Sequence, residues 1–418
     1  MKTIIINGGH KLNGTIRISG AKNASVALIP ASILTSEETT ICNVPEITDT
    51  DNLIAILKFL NVKVKRASES LLIDASQLTN KKIEKSISSK LRASYYFMGA
   101  LLGRYHYVEM HFPGGCAIGK RPIDQHIKGF ESLGAHVEFK NGDFKIWADE
   151  LKGADIYLDI PSVGATINIL LAAVLAQGKT VITNAAKEPE IVNIATYLNN
   201  MGAQIRGAGT SQITIVGVKK LHSAFIEVIP DRIEAGTYLL AGALLGDNLK
   251  IDNIIPDHIE SITSKLISMK GNLIIKEDNI IINSVSHYKN TNIKTAPYPG
   301  FPTDLQQPFS VVLTQAEGDS IINESIYENR FMQVPYLEKM GANIDIEGTK
   351  IIIHGPTKLE GSQVIATDLR AGAALILAGL IADKTTIIND AEHILRGYEN
   401  IVEKLSSVGA DIFLKEEE

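Results

Sequence analysis

Cysteine is nearly absent: the 418 residues contain two, Cys42 and Cys116. Two thiols indicate no disulfide framework, and a reducing compartment fits that usage. Positive charge is not in excess either. The formal net charge is −6, which argues against a nucleic-acid binder, whose footprint is basic. A local basic pocket remains compatible with an acidic chain, because clefts focus field. Long apolar runs are missing. The longest, residues 167–176 and 373–382, fall short of the ~20 residues that span a bilayer. The opening Met1-Lys2-Thr3-Ile4-Ile5-Ile6-Asn7-Gly8 alternates like a short strand and does not read as a signal peptide. No His/Cys/Asp cluster shows metal-ligand spacing. These absences lead to the expectation of a cytoplasmic protein with no membrane insertion, no nucleic-acid partner and no metal or other cofactor.

What is present is ordinary in bulk, with 45% apolar and 21% charged residues. The length exceeds that of a typical single core, so two or more domains are expected. A unit then recurs six times. A hydrophobic residue, a small turn and an alternating strand appear in Leu60-Asn61-Val62-Lys63-Val64, Leu133-Gly134-Ala135-His136-Val137 and Met201-Gly202-Ala203-Gln204-Ile205. They return in Lys270-Gly271-Asn272-Leu273-Ile274, Met340-Gly341-Ala342-Asn343-Ile344 and Val408-Gly409-Ala410-Asp411-Ile412. Turn positions 61, 134, 202, 271, 341 and 409 lie 73, 68, 69, 70 and 68 residues apart. An Ala/Leu-rich helix with 3.6 spacing is expected in each unit, at residues 21–34, 91–102, 163–177, 232–245, 303–315 and 367–381. Helices apolar nearly all round belong inside a domain. Two α/β domains of three units each follow, 22–229 and 1–21 with 230–418. The N-terminal strand has no helix before it and is expected to pair within the second domain.

The densest chemistry sits in Pro113-Gly114-Gly115-Cys116-Ala117-Ile118-Gly119-Lys120-Arg121-Pro122-Ile123-Asp124. Glycines expose backbone N–H donors, and Lys120 and Arg121 would hold an anion and favour thiolate. The stretch also fits the P-loop pattern G-x-x-x-x-G-K. The residue that must ligate magnesium is Arg121 instead of Ser or Thr, so that reading fails at its metal. A loop with an incidental buried Cys is the plain alternative.

Helix starts are anion sites, and cations recur at or near them: Lys22, Arg92, Arg232 and Arg370, with Arg330 and Arg396 just beyond turn strands. Taken singly, such arginines are more often solvated or surface-paired. Asp304, in Phe301-Pro302-Thr303-Asp304, is either an N-cap or a catalytic carboxylate. Several cations, a carboxylate and a thiol gathered around a cleft would suit a substrate bearing phosphate and carboxylate groups.

Ser19-Gly20-Ala21-Lys22-Asn23, Pro113-Gly114-Gly115-Cys116-Ala117-Ile118-Gly119 and Arg121-Pro122-Ile123-Asp124 closely resemble motifs of the UDP-N-acetylglucosamine 1-carboxyvinyltransferases. So do Phe301-Pro302-Thr303-Asp304, Glu328-Asn329-Arg330-Phe331-Met332, Thr367-Asp368-Leu369-Arg370 and Arg396-Gly397-Tyr398. The resemblance spans essentially the whole chain. It implies the inside-out α/β barrel of the enolpyruvyl transferases and transfer of enolpyruvyl from phosphoenolpyruvate to the 3′-hydroxyl of UDP-N-acetylglucosamine. By the same resemblance, Cys116 is the general acid at C3 of phosphoenolpyruvate, forms a covalent adduct with it and is the fosfomycin target. Asp304 is the base or orienting group near the sugar hydroxyl. Lys22, Arg121 and Arg396 hold phosphate, with Arg330 and Arg370 also around phosphoenolpyruvate. Asn23, Arg92, Arg121, Pro122, Ile123, Asp124, Gln125, Ser162, Val163, Asp304 and Ile326 contact substrate, chiefly the nucleotide sugar. One departure is Asp159-Ile160-Pro161, where family members often carry a Lys near the diphosphate. The alternatives are the sister 5-enolpyruvylshikimate-3-phosphate synthases, which do not need Cys116, and a catalytically silent nucleotide-sugar-binding paralogue.

Overall fold

The structure, a computed structural model, describes residues 2–112 and 123–416. Their contacts separate into two compact units, residues 20–112 with 123–229 and residues 2–19 with 230–416. The first closes on a core containing Leu28, Phe97, Leu170 and Tyr197. The second has its own core, including Ile4, Tyr238, Phe309 and Leu375. No helix among the described residues is long and apolar enough to cross a membrane.

Each unit holds three sheets of one plan, in which a central strand pairs in parallel on one side and with an antiparallel pair on the other. Thr39–Cys42 is parallel to Phe225–Glu227 and antiparallel to Ser70–Asp74, which pairs with Lys63–Ala67. Lys179–Thr183 repeats this with Asp155–Tyr157, Gln212–Val216 and Gln204–Arg206. Tyr107–His111 has the hairpin of His136–Lys140 and Asp143–Trp147, but a single bridge from Ile83 to Met110 replaces the parallel strand. In the second unit the centres are Gly246–Asp252, Ala316–Asn323 and Thr385–Asn389. The last lacks a hairpin of its own. Lys2–Asn7 fills the gap, antiparallel to both Thr385–Asn389 and Asp411–Glu416, as expected of a lone N-terminal strand.

One helix per repeat is buried nearly all round: Lys22–Ala31, Tyr96–Tyr105, Val163–Ala173, Arg232–Leu245, Thr303–Leu313 and Leu369–Ile381. Small residues let these helices touch backbone to backbone. A Cβ at Gly99 would lie 2.4 Å from the Asn168 carbonyl oxygen. The second helix starts later than its periodicity suggests, because Leu91 is extended and Arg92–Tyr95 forms a 3₁₀ turn before the α-helix. A second, amphipathic helix in each repeat lies between the central strand and the hairpin, as Thr48–Phe59 and Pro189–Asn200 do. Such helices bury one apolar face and leave the other polar.

The turns explain the period. Asn61, Gly134, Gly202, Gly341 and Gly409 are left-handed, with φ of 64, 92, 98, 104 and 108°. They end the amphipathic helices in the conformation that favours Gly or Asn. In the fourth repeat the left-handed residue is Lys270 (φ 67°), not Gly271, so that turn sits one residue earlier than the sequence pattern placed it. The amide of Gly271 makes the contact to Leu266 that Ala203 makes to Leu198 and Ala342 to Leu337. A glycine beside the turn drew the pattern by one position.

A second turn follows Thr39–Cys42, Lys179–Thr183, Gly246–Asp252, Ala316–Asn323 and Thr385–Asn389. Asn43, Asn184 and Asn253 are left-handed, and each donates its side-chain amide to the carbonyl just past the parallel strand: Val228 at 2.9 Å, Leu158 at 2.8 Å and Ile18 at 2.8 Å. Asp390 is left-handed as well (φ 55°). The fifth repeat departs, with Glu324 at this position and no left-handed residue there.

Candidate functional site

In the unit formed by residues 20–112 and 123–229, Lys22 opens a buried helix whose N-cap, Ala21, offers no side-chain acceptor. The first-turn N–H groups and the dipole therefore favour an anion. Gly20 lets the chain enter this helix, since a Cβ there would meet the Asn43 carbonyl oxygen at 1.7 Å. Lys22 Nζ lies 2.8 Å from Asp49 Oδ2, with side-chain exposures of 15% and 2%. Asp49 aims the ammonium. Asn23 is the next helical residue.

The same unit gathers a second group of candidates. Ile123 precedes the Asp124–Ser132 helix, and Gln125 Oε1 accepts from the Ile160 amide at 3.4 Å. That bond brings Ile123, Asp124 and Gln125 toward Ser162 and Val163. Ser162 caps the Val163–Ala173 helix, accepting from the Ala165 amide at 3.3 Å. His126 joins Arg92 to this helix start: burial first, then the Arg92 charge, push its pKa down to about 3. Its ring packs edge-on against Tyr95, 5.2 Å between centroids, and a Cβ on Gly164 would touch its Nε2. Neither His126 ring nitrogen has a hydrogen-bond partner among the described residues. Asp159, the family departure, is met by Lys128 Nζ at 3.2 Å. This pair is exposed, and such pairs contribute little.

In the unit formed by residues 2–19 and 230–416, Asp304 is neither free nor a cap. The N-cap of its helix is Pro302, without a side-chain bond. The Asp304 carboxylate lies instead 2.7 Å from Arg330 and 2.9 Å from Arg370, whose side chains are 4% and 5% exposed. Asp304 itself is 26% exposed. Burial disfavours the Arg370 cation, but the charges of Asp304, Tyr398 and Asp231, with a hydrogen bond to Tyr398, together outweigh it and hold the guanidinium pKa above its usual value. Arg370 also stacks over Tyr398 at 5.3 Å, and the Tyr398 hydroxyl is 2.8 Å from Thr237 Oγ1. Asp368 caps this helix start through the Arg370 and Ala371 amides. Arg396 follows the short Glu392–Leu395 helix, whose Ile394 packs over Gly372 while Gly397 packs on Leu369. The chain carrying Arg396 is thereby fixed beside the helix start that carries Arg370. Ile326 is 37% exposed on the segment leading to Arg330.

Cys116, Arg121 and Pro122, with the rest of the glycine-rich stretch, lie outside the described residues. Sequence reasoning missed Asp49, His126 and Glu324, and it quoted Tyr398 within a motif but gave it no role. Each has at least one partner distant in the chain, which a local pattern does not reveal.

An EPSP synthase (3-phosphoshikimate 1-carboxyvinyltransferase) family model matches residues 6–405. The chain is 53% identical to UDP-N-acetylglucosamine 1-carboxyvinyltransferase 2 of Listeria monocytogenes, over 98% of this chain and 97% of that one. It is also 53% identical to UDP-N-acetylglucosamine 1-carboxyvinyltransferase of Clostridium botulinum, over 99% of both. Among solved structures, the enolpyruvyl transferase NikO from Streptomyces tendae matches with a TM-score of 0.90 at 26% identity, over 99% of both chains. EPSP synthase from Acinetobacter baumannii matches with a TM-score of 0.78 at 18% identity over the full length of both, a likeness of fold alone. The chain belongs to the EPSP synthase family of carboxyvinyltransferases and, within it, to the UDP-N-acetylglucosamine 1-carboxyvinyltransferases.

Proposed function

We propose that the chain transfers the enolpyruvyl group of phosphoenolpyruvate to the 3′-hydroxyl of UDP-N-acetylglucosamine, releasing phosphate, in the first committed step of peptidoglycan synthesis. The observation that carries this reading is Asp304 held between the buried Arg330 and Arg370 at a helix start. Two fixed cations hold this carboxylate in place, so it is able to orient or deprotonate an acceptor hydroxyl. The same cations offset the negative charge of phosphoenolpyruvate without reorganising as the reaction proceeds.

The reaction adds an alcohol across the double bond of an enol phosphate and then eliminates phosphate, leaving an enol ether. Cys116 delivers a proton to C3 while the sugar hydroxyl attacks C2, giving a tetrahedral intermediate that still carries phosphate. Loss of a C3 proton and of phosphate restores the double bond in the product. Lys22, Arg121 and Arg396 hold the phosphate, and Arg330 and Arg370 face phosphoenolpyruvate. Asn23, Arg92, Pro122, Ile123, Asp124, Gln125, Ser162, Val163, Asp304 and Ile326 receive substrate, mainly the nucleotide sugar. The linked placement of Gln125, Arg92 and Ser162 supports the second group. The inside-out barrel, with domains 22–229 and 1–21 with 230–418, is supported by the six helices buried nearly all round, three in each unit. Both substrates are cytoplasmic metabolites, and the reaction belongs in that compartment.

The second reading is transfer to shikimate 3-phosphate, which the name of the matching family model favours. Phosphate release, measured in chelator with each acceptor in turn, separates the two. Release with UDP-N-acetylglucosamine alone is expected. Release with shikimate 3-phosphate moves the chain to the sister activity, and silence with both overturns the transferase reading.

A further inference from the structure

We infer that Glu324 is a positioning residue that fixes Asp304, Ile326 and Arg330 as one unit, a role that rests on the proposed transfer reaction. Four of the repeats close the equivalent turn with left-handed Asn43, Asn184, Asn253 or Asp390. In three of these the Asn ties the turn to the neighbouring parallel strand. The fifth repeat gives that task to Ser325, whose amide and hydroxyl both bond Thr295. Glu324 is thereby released from closing the sheet, yet it is only 2% exposed.

Its carboxylate is spent on the site. Oε1 accepts from Thr295 Oγ1 at 2.9 Å and from the amides of Ile326 and Tyr327 at 2.8 and 3.2 Å. Oε2 accepts from Thr303 Oγ1 at 2.8 Å, one residue before Asp304. The circuit then closes. Tyr327 lies under the Arg330 guanidinium at 5.3 Å, Arg330 pairs with Asp304, and the Arg330 carbonyl accepts from Gln306 at 2.7 Å. A buried carboxylate satisfied by several donors is rigid, because leaving any of them unpaired costs free energy. Glu324 thus sets the distance between the start of the Asp304 helix and the segment bearing Ile326 and Arg330.

The test exchanges Glu324 for the residue its sister repeats use. Glu324→Asn keeps a polar turn but is one methylene too short to reach Thr303 and both amides together. Glu324→Gln keeps the reach: its oxygen serves Thr295, Ile326 and Tyr327, and its amide donates to the Thr303 hydroxyl, which is able to accept. Phosphate release is measured at 15 °C beside thermal unfolding by circular dichroism. The expected result is a kcat loss on the order of 100-fold for Glu324→Asn with an intact folded baseline, and recovery to within about fivefold in Glu324→Gln. Wild-type kcat in Glu324→Asn overturns the inference, as does equal loss in both variants. Loss of stability alone, with kcat retained, makes Glu324 merely structural and also overturns it. Should Glu324→Asn fail to fold, Thr303→Val decides: it removes one donor to Oε2 and is expected to lower kcat roughly tenfold, while unchanged kcat counts against the inference. A silent wild-type enzyme with both acceptors rejects the transferase reading instead, so the two failures are distinct.

Discussion

Removing the Asp304 carboxylate should cost stability as well as chemistry. Asp304→Ala leaves Arg330 and Arg370, 4% and 5% exposed, facing each other without the anion they share at 2.7 and 2.9 Å. Breaking a buried ion pair by deleting one partner costs about 3–5 kcal/mol. Asp304 is 26% exposed, so water screens part of the interaction and the lower end, about 3 kcal/mol, is expected. For a domain of about 150–250 residues, that lowers Tm by about 6–12 °C. Inorganic phosphate supplies a replacement anion, so it should raise the Tm of Asp304→Ala more than that of the wild type. Differential scanning fluorimetry with and without phosphate reads both effects. Calorimetry should still detect binding of UDP-N-acetylglucosamine, with turnover absent. A Tm within about 2 °C of wild type and no added phosphate response would refute the claim that this carboxylate stabilises the two buried arginines.

His126 makes folding sensitive to acid. Its pKa falls from 6.5 to about 3 on folding, so between those values the unfolded chain holds a proton that the folded chain lacks, and stability declines as pH falls. At pH 5 the cost is about 2 kcal/mol. Urea unfolding of His126→Gln at pH 7.5 and 5 should show that much less pH dependence, and an unchanged dependence contradicts the assignment. At Cys116, Cys116→Ser should nearly abolish turnover, whereas Cys116→Asp should keep activity and resist fosfomycin. Full activity in Cys116→Ser removes the thiol from the role of general acid.

Sequence pattern exposed what is local or repeated. The period appeared because helix ends need left-handed residues, and Gly134, Gly202, Gly341 and Gly409 supply them. It slipped at Lys270, where an ordinary side chain adopts that conformation beside a glycine. The inner helices were legible from their Ala, Gly and Leu content, although the 3₁₀ turn at Arg92–Tyr95 was not. Asp304 was recognisable as a helix-start carboxylate, but choosing between cap and ion pair required Arg330 and Arg370, which lie far along the chain. Asp49, His126 and Glu324 were hidden for the same reason, as was the part played by Tyr398. Each is explained by what the fold sets against it: Lys22, Gly164, Thr303 and Arg370 respectively.

The most direct measurement of the central claim follows deuterium from solvent into product. The enzyme is incubated with phosphoenolpyruvate and UDP-N-acetylglucosamine in D₂O, and the vinyl group of the product is examined by proton NMR and mass spectrometry. Addition of a solvent-derived deuteron to C3 makes a CH2D group in the tetrahedral intermediate, and elimination that removes either of its two protons leaves deuterium in the product vinyl group. Enolpyruvyl-bearing nucleotide sugar with vinyl deuterium is the expected result. Product with an unlabelled vinyl group contradicts protonation at C3, and no product with this acceptor contradicts the transferase assignment itself.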